Sequence, residues 1–318
     1  MTTRNPRPDY IRRGGDLVMA APLQLNGATM YSFCVGADLA ALTKVVDEQL
    51  NVVAGAGTYK VLVPMVAIVC ADIADSFSTV PPDSEKGWMA ERDFGLWIPV
   101  VRGTTIGWYL PYVFVDNVAA MVTGREVFGF FKQTATLAMP PSPKEPGVFS
   151  VDALAIQTFS PESEAQVMRL MTMTSAESGP PPQGSWAGDV KKAFEDVFSA
   201  VKAMIGDVKG MPISTWELLK DGLKEAITGN VPMVFLKQFR DATDPTKACY
   251  QAVIEAPAHL AKLHDGWFAH PHDITIVPAD SHPIAAECGL ASGTLRSGLA
   301  FWCKMDFVME AGVVVAGG

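Results

Sequence analysis

The chain carries none of the short signatures that most often announce a catalytic chemistry. No GxGxxG opens a helix after a strand and no phosphate-loop lysine is present, which removes the nucleotide sites built on those loops. HExxH and GxSxG are absent too, and with them the zincin and the commonest serine-hydrolase readings. The five cysteines (Cys34, Cys70, Cys249, Cys288, Cys303) are odd in number, scattered and without a CxxC, so they read as buried reduced thiols rather than a disulfide scaffold or zinc site. All five histidines fall between 259 and 282, and "HPH" (270–272) has no acid or histidine at helical spacing, so no metal or other cofactor is expected. The longest apolar run, "VLVPMVAIVCA" (61–71), is well short of the roughly 20 residues a membrane helix needs. Basic charge is also scarce. With 25 Lys and Arg against 34 Asp and Glu, a net charge of −9 argues against a nucleic-acid footprint. The one basic cluster, "TRNPRPDYIRR", reads as a loose arm or subunit contact, and the N-terminus shows no signal-peptide pattern; a cytoplasmic location is the default expectation.

What is present is apolar: 318 residues, 49% hydrophobic and only 19% charged, enough for one large core or two smaller ones. Strands are expected at 29–36, 58–73 (with Pro64 marking an edge or bulge), 94–101, 105–116 and 148–160. The segment 164–175 also reads as a strand, although its spacing is helix-compatible. "RGT" makes a hairpin of the pair 94–101 and 105–116. A helix is expected where Leu39, Leu42, Val45, Val46 and Leu50 recur at helical spacing. The texture changes at 179. "GPPPQGSW" reads as a linker, and two amphipathic helices follow, over 187–210 and over 214–228, the second opening on a Ser214–Glu217 capping box. Strands resume at 232–241, 248–258, 273–279 and 298–312. Many strands with grouped helices argue against a doubly wound fold and for an α+β protein, a single domain over 1–318 with a barrel-like β core and a helical insertion at 180–229.

One lysine stands out. In "GREVFGFFKQTATL" (124–137), Lys132 follows Phe128, Phe130 and Phe131. Either its stem snorkels and the ammonium sits in water, or the amine is deprived of water and becomes a nucleophile. An ordinary lysine is neutral in only about one part in a few thousand at pH 7, and burial can lower its pKa by roughly 3–5 units. On a strand, Lys132, Thr134 and Thr136 share one face and Gln133, Ala135 and Leu137 the other. A Lys/Thr face inside a barrel would be a polar pocket in an apolar wall. The carboxylates Glu91 and Asp93 are two residues apart and would share a strand face, an arrangement that is usually solvated.

The run "VDNVAAMVTGREVFGFFKQ" resembles the acetoacetate decarboxylase family, in which an acidic-Asn step and Gly-Arg-Glu precede an aromatic-Pro-Lys-Lys element. "ADLAALTKVVDEQL", "MAERDFGLWIPV" and "VPMVFLKQFRDATDPTKACYQAVIEAPA" are similar to further segments of that family, in order, so the resemblance spans roughly 15–175 and 230–312. It implies an antiparallel barrel of that family's type and a homo-oligomer. It also implies a lyase acting on a small keto acid, with Lys132 forming a Schiff base and Glu91 as its partner. Phe128, Phe130 and Gln133 complete the expected pocket with Arg125 and Glu126, which by position read as an ion pair or cap near the turn. There are two departures. Gln133 stands where the family has its second lysine, and no basic residue occurs between Arg13 and Lys44, where the family places an arginine. Decarboxylation of an acetoacetate-like β-keto acid is therefore the first expectation. Aldolase or dehydratase chemistry through the same iminium is the second, and a non-catalytic ligand-binding relative the third.

Overall fold

The computed structural model describes residues 8–13, 16–205, 216–218, 220 and 231–318. The chain opens with β1 (Leu23–Gly36), then α1 (Leu39–Val46), whose first turn is capped by the Asp38 side chain accepting from the Ala41 N–H. A π-turn (Asp47–Asn51) and α2 (Val52–Ala54) complete that helical stretch. The strand expected over 58–73 is instead split into β2 (Lys60–Val61) and β3 (Met65–Ser78), because Pro64 has no N–H to give to a ladder. The hairpin of β4 (Met89–Arg102) and β5 (Thr105–Val115) closes where Arg102 faces Thr105, with Gly103 in the turn at φ +62°.

After β5 come α3 (Val118–Thr123) and a second π-turn (Gly124–Phe128), followed by β6 (Lys132–Ala138), β7 (Val148–Ala155) and β8 (Gln166–Ser175). The segment containing 166–175 is thus a strand. α4 (Val190–Ile205) is the first of the two amphipathic helices; the second, expected over 214–228 with its Ser214 cap, lies outside the described residues except for 216–218 and 220, which are helical. The chain ends with β9 (Val231–Arg240), β10 (Ala248–Phe268), β11 (His272–Ile276), α5 (Ile284–Glu287), β12 (Thr294–Arg296), β13 (Leu299–Met309) and β14 (Val313–Gly317).

Seven of these strands close on themselves in the order β5-β9-β10-β13-β1-β3-β4, because β4 also pairs with β5. Closure leaves that ring without an open edge. Every pair in the ring is antiparallel except β5–β9, where Trp108 and Tyr109 meet Met233 and Val234 in parallel. A parallel neighbour needs a long crossover, and the chain from β6 to α4 supplies it. At that seam Gly107 is required, since a Cβ there would lie 2.9 Å from the Pro232 carbonyl and from a Val234 methyl.

The remaining strands extend the β structure. β6 leaves the ring, pairing with β5 over three residues, and then joins β7, β8, β11 and β12 in a second sheet. Strand alternation sorts the core accordingly. Tyr31, Phe33, Ile68, Phe94 and Leu96 point out of the barrel and pack with Phe149, Val151 and Met173 of the second sheet. Leu23, Leu25, Ala71, Ile73, Val113 and Phe128 form one apolar group and Cys34, Met65, Ala67 and Val69 another, the latter joined by Trp186 and by Ala193, Val197 and Val201 of α4. No helix among the described residues is long and apolar enough to cross a membrane.

Candidate active site

Inside the barrel lies a cavity of about 330 Å³ with overwhelmingly apolar walls. β4 carries Met89, Glu91, Asp93, Gly95 and Trp97 on its inward face, so the two acids that alternation puts on one side of the strand point into the cavity rather than into water. Lys132 enters from β6. Its Nζ lies 3.2 Å from Glu91 Oε2 and 3.1 Å from Asp93 Oδ2, and 5.2 Å from the centre of the Phe130 ring. Only 6% of Lys132 and 5% of Glu91 is accessible. Asp93 keeps 24% of its side chain open, and that opening belongs to the cavity it lines.

The helical turn after β5 builds this arrangement. Asn117 caps α3 by accepting from the N–H groups of Ala119 and Ala120, and the helix then widens into the π-turn Gly124–Phe128, a device common at functional sites. Gly124 of that turn is what lets the lysine stem pass: a Cβ there would sit 2.6 Å from Lys132 Cδ and 3.1 Å from Cε. The turn ends at Gly129, at φ +100°, where a Cβ would sit 2.5 Å from that of Lys237. Arg125 donates from Nη1 to the Lys132 carbonyl at 3.1 Å and covers Phe131, so it positions the lysine backbone from outside.

Two opposing effects act on the lysine. Burial pushes the amine down, as the run of phenylalanines suggests, but Asp93 and Glu91 more than offset it, and the Lys132 pKa ends above its ordinary value. Aromatic desolvation alone would favour a neutral amine; the two acids that share the pocket favour the ammonium in the resting site. The same burial pushes Asp93 up to about 7; Lys132 pulls it down and Glu91 pushes it up further. Asp93 Oδ1 is buried with no hydrogen-bond partner. A carboxyl that holds its proton more tightly than usual and lines a cavity is suited to passing a proton to a bound molecule.

Of the residues singled out in the sequence, Lys132, Glu91, Phe128 and Phe130 meet at the cavity. Gln133, Arg125 and Glu126 do not line it. Gln133 points the other way, its Oε1 2.8 Å from His282 Nε2, and Glu126 accepts a long 3.5 Å bond from the Tyr10 hydroxyl on the surface. Thr134 and Thr136 are exposed, so the Lys/Thr face is no pocket wall. β6 runs beside β5 only as far as Thr134 and then joins the second sheet. Asp93 is the group that sequence reasoning passed over; its i, i+2 spacing to Glu91 was the available signal. No cluster of three or more His, Cys, Asp or Glu among the described residues is arranged to hold a metal.

The profile of the family described as acetoacetate decarboxylase (ADC) matches residues 10–316. Among solved structures, the acetoacetate decarboxylase of Legionella pneumophila is 14% identical, with 99% of this chain and 94% of that chain covered at a TM-score of 0.61. The enduracididine biosynthesis enzyme MppR complexed with pyruvate is 12% identical over 93% of this chain and 91% of that one, TM-score 0.55. An acetoacetate decarboxylase-like enzyme from Sphingomonas wittichii RW1 is 13% identical over 95% and 96%, TM-score 0.53. No curated protein matches the chain. At these identities the structures speak for the fold, and the profile match across nearly the whole sequence speaks for kinship. The chain belongs to the acetoacetate decarboxylase family.

Proposed function

We propose that the protein is a Schiff-base-forming lyase acting on a keto acid, with Lys132 as nucleophile and Glu91 and Asp93 as proton carriers. The observation that carries this reading is the buried ammonium between two carboxylates in an otherwise apolar barrel. Such a site is poorly suited to storing a free amine and well suited to a protonated Schiff base, a cation that neighbouring carboxylates stabilise. Stabilising the intermediate more than the resting amine is what lowers a barrier.

The steps follow from the distances. Lys132 passes a proton to Glu91, 3.2 Å away, as the amine attacks the keto carbon. The new alkoxide takes a proton from the adduct nitrogen, protonated Asp93 donates to the carbinolamine hydroxyl, water leaves, and the iminium forms beside ionised Asp93 and protonated Glu91. With a β-keto acid, the bond to the carboxylate carbon breaks, carbon dioxide departs, and the electron pair moves through the new double bond to nitrogen. The enamine carbon then takes a proton from the acid pair, and water returns the ketone and the amine. Apolar walls favour the loss of a carboxylate as neutral carbon dioxide.

Aldol-type or dehydratase chemistry on the same iminium is the second reading, favoured by Asp93. Both routes need an acid for the carbinolamine hydroxyl, and dehydration needs one again for the substrate's own leaving hydroxyl, a second use to which Asp93 is suited. MppR, a relative in fold, has been captured with pyruvate and with the condensation product of pyruvate and imidazole 4-carboxaldehyde. Borohydride reduction in the presence of acetoacetate or pyruvate tests the shared step: a mass adduct on Lys132, lost in Lys132→Ala, is expected. No adduct across a panel of keto acids would sink the proposal, and release of carbon dioxide separates the two readings.

A further inference from the structure

The cavity is far larger than a small keto acid needs, and its lysine and two carboxylates sit together at one end. Register places Ile73 opposite Glu91 and Ala71 opposite Asp93, marking the polar end beside Lys132. From Ala71 the same face of β3 continues through Val69 and Ala67 to Met65, all lining the cavity. Six residues of strand cover about 20 Å. Beyond them Val197 and Val201 of α4, with Trp186, form the far wall. Small closed barrels normally fill their interiors with side chains. Here the inward positions include Ser32, Cys34, Ala67, Ala71 and Gly95, so the bore stays open. Methionines Met30, Met65, Met89, Met233 and Met305 supply adaptable walls.

We infer that the substrate is a keto compound with a long unbranched apolar tail, its carbonyl at Lys132 and its tail running along β3 to α4. The inference rests on the Schiff-base reading for the carbonyl end, and on the shape and chemistry of the barrel for the tail. It gives the helical insertion a role, since α4 sets the depth of the tail site. A short, doubly polar keto acid would instead face apolar walls on every side but one.

The test is a chain-length series. Acetoacetate and its straight-chain homologues of six, eight, ten and twelve carbons are trapped with borohydride, and the concentration for half-maximal adduct is read by mass spectrometry. The matching methyl ketones are titrated in parallel by tryptophan fluorescence, since Trp97 and Trp108 line the cavity. Each buried methylene is expected to lower the half-saturating concentration about fourfold, until the chain reaches α4. Val197→Trp is expected to end that gain at a shorter chain, and Ala67→Leu does the same from the opposite wall.

Adducts whose half-saturation is flat or worsens with length in the wild type would overturn the tail site and leave the Schiff base standing. Absence of every adduct, with methyl ketones binding more tightly as they lengthen, would remove the Schiff base and keep the tail site. The wild-type series decides even if both variants fail to fold. A gain with length that Val197→Trp and Ala67→Leu leave untouched, in folded protein, would also refute the placement.

Discussion

Asp93→Asn isolates the proton that the site holds. Burial pushes the Asp93 carboxyl up to about 7, against 3.8 for the unperturbed group. The folded state therefore binds more protons than the unfolded one between those values, and stability from this group falls as pH rises from about 4 to about 7. A pKa raised by about three pH units, at about 1.36 kcal/mol for each, bounds the effect at about 4 kcal/mol. Lys132, whose pKa is raised, is charged in both states across that range and adds no slope there. Several carboxylates elsewhere act oppositely. Burial pushes Asp83, Asp265 and Asp306 up, but backbone and side-chain hydrogen bonds pull them below the ordinary value, so their contribution is lost only at lower pH. The quantity to read is consequently the difference between variant and wild type. Urea unfolding from pH 4 to pH 8 is expected to show the wild type losing stability relative to Asp93→Asn as pH rises, by up to about 4 kcal/mol. Identical slopes in the two proteins would refute the desolvated carboxyl, and with it the proposed acid.

Gly124→Ala drives a methyl to 2.6 Å from the lysine stem, which two carboxylates hold in place; a stability loss of about 1–3 kcal/mol is expected in thermal unfolding, with a larger loss of borohydride-trapped adduct. Gln133→Lys restores the letter that the family has at this position, yet 133 faces His282; no gain in adduct formation is expected, and any gain would show that the residue reaches the cavity. Arg102 makes two hydrogen bonds, of 2.8 and 2.7 Å, to the buried Glu255, which also accepts from the Tyr59 hydroxyl. Arg102→Met is expected to cost about 1–3 kcal/mol at neutral pH by leaving that carboxylate short of donors, and wild-type stability would exclude the pairing.

Alternation made much of this fold legible. Inward and outward residues of β1, β3 and β4 separate at period two, and Lys132 stood out because its neighbours are aromatic. The same period correctly set Gln133 opposite Lys132. It could not tell what covers each face, and Thr134 and Thr136 are exposed where β6 passes from β5 to the second sheet. Glu91 and Asp93 share an ordinary strand pattern whose usual meaning is a solvated edge; only ring closure, through partners remote in sequence, turns that edge inward. The apolar stripe of α4 was plain from its spacing, but nothing in the stripe names the cavity beneath it.

The closure of the ring also sets the order in which this protein can acquire its chemistry. β1, β3, β4 and β5 are built from neighbours in sequence, as are β9, β10 and β13 in their turn, but the two joins between these sets match Trp108 with Met233 and Leu23 with Met309. Such non-local pairings are formed late, because the entropy of closing long loops is spent before they reward it. During synthesis, Lys132, Glu91 and Asp93 are all made long before the walls that exclude water from them. The amine and its two acids thus remain ordinary solvated charges until β13 docks, and the candidate site comes into being only with the finished barrel.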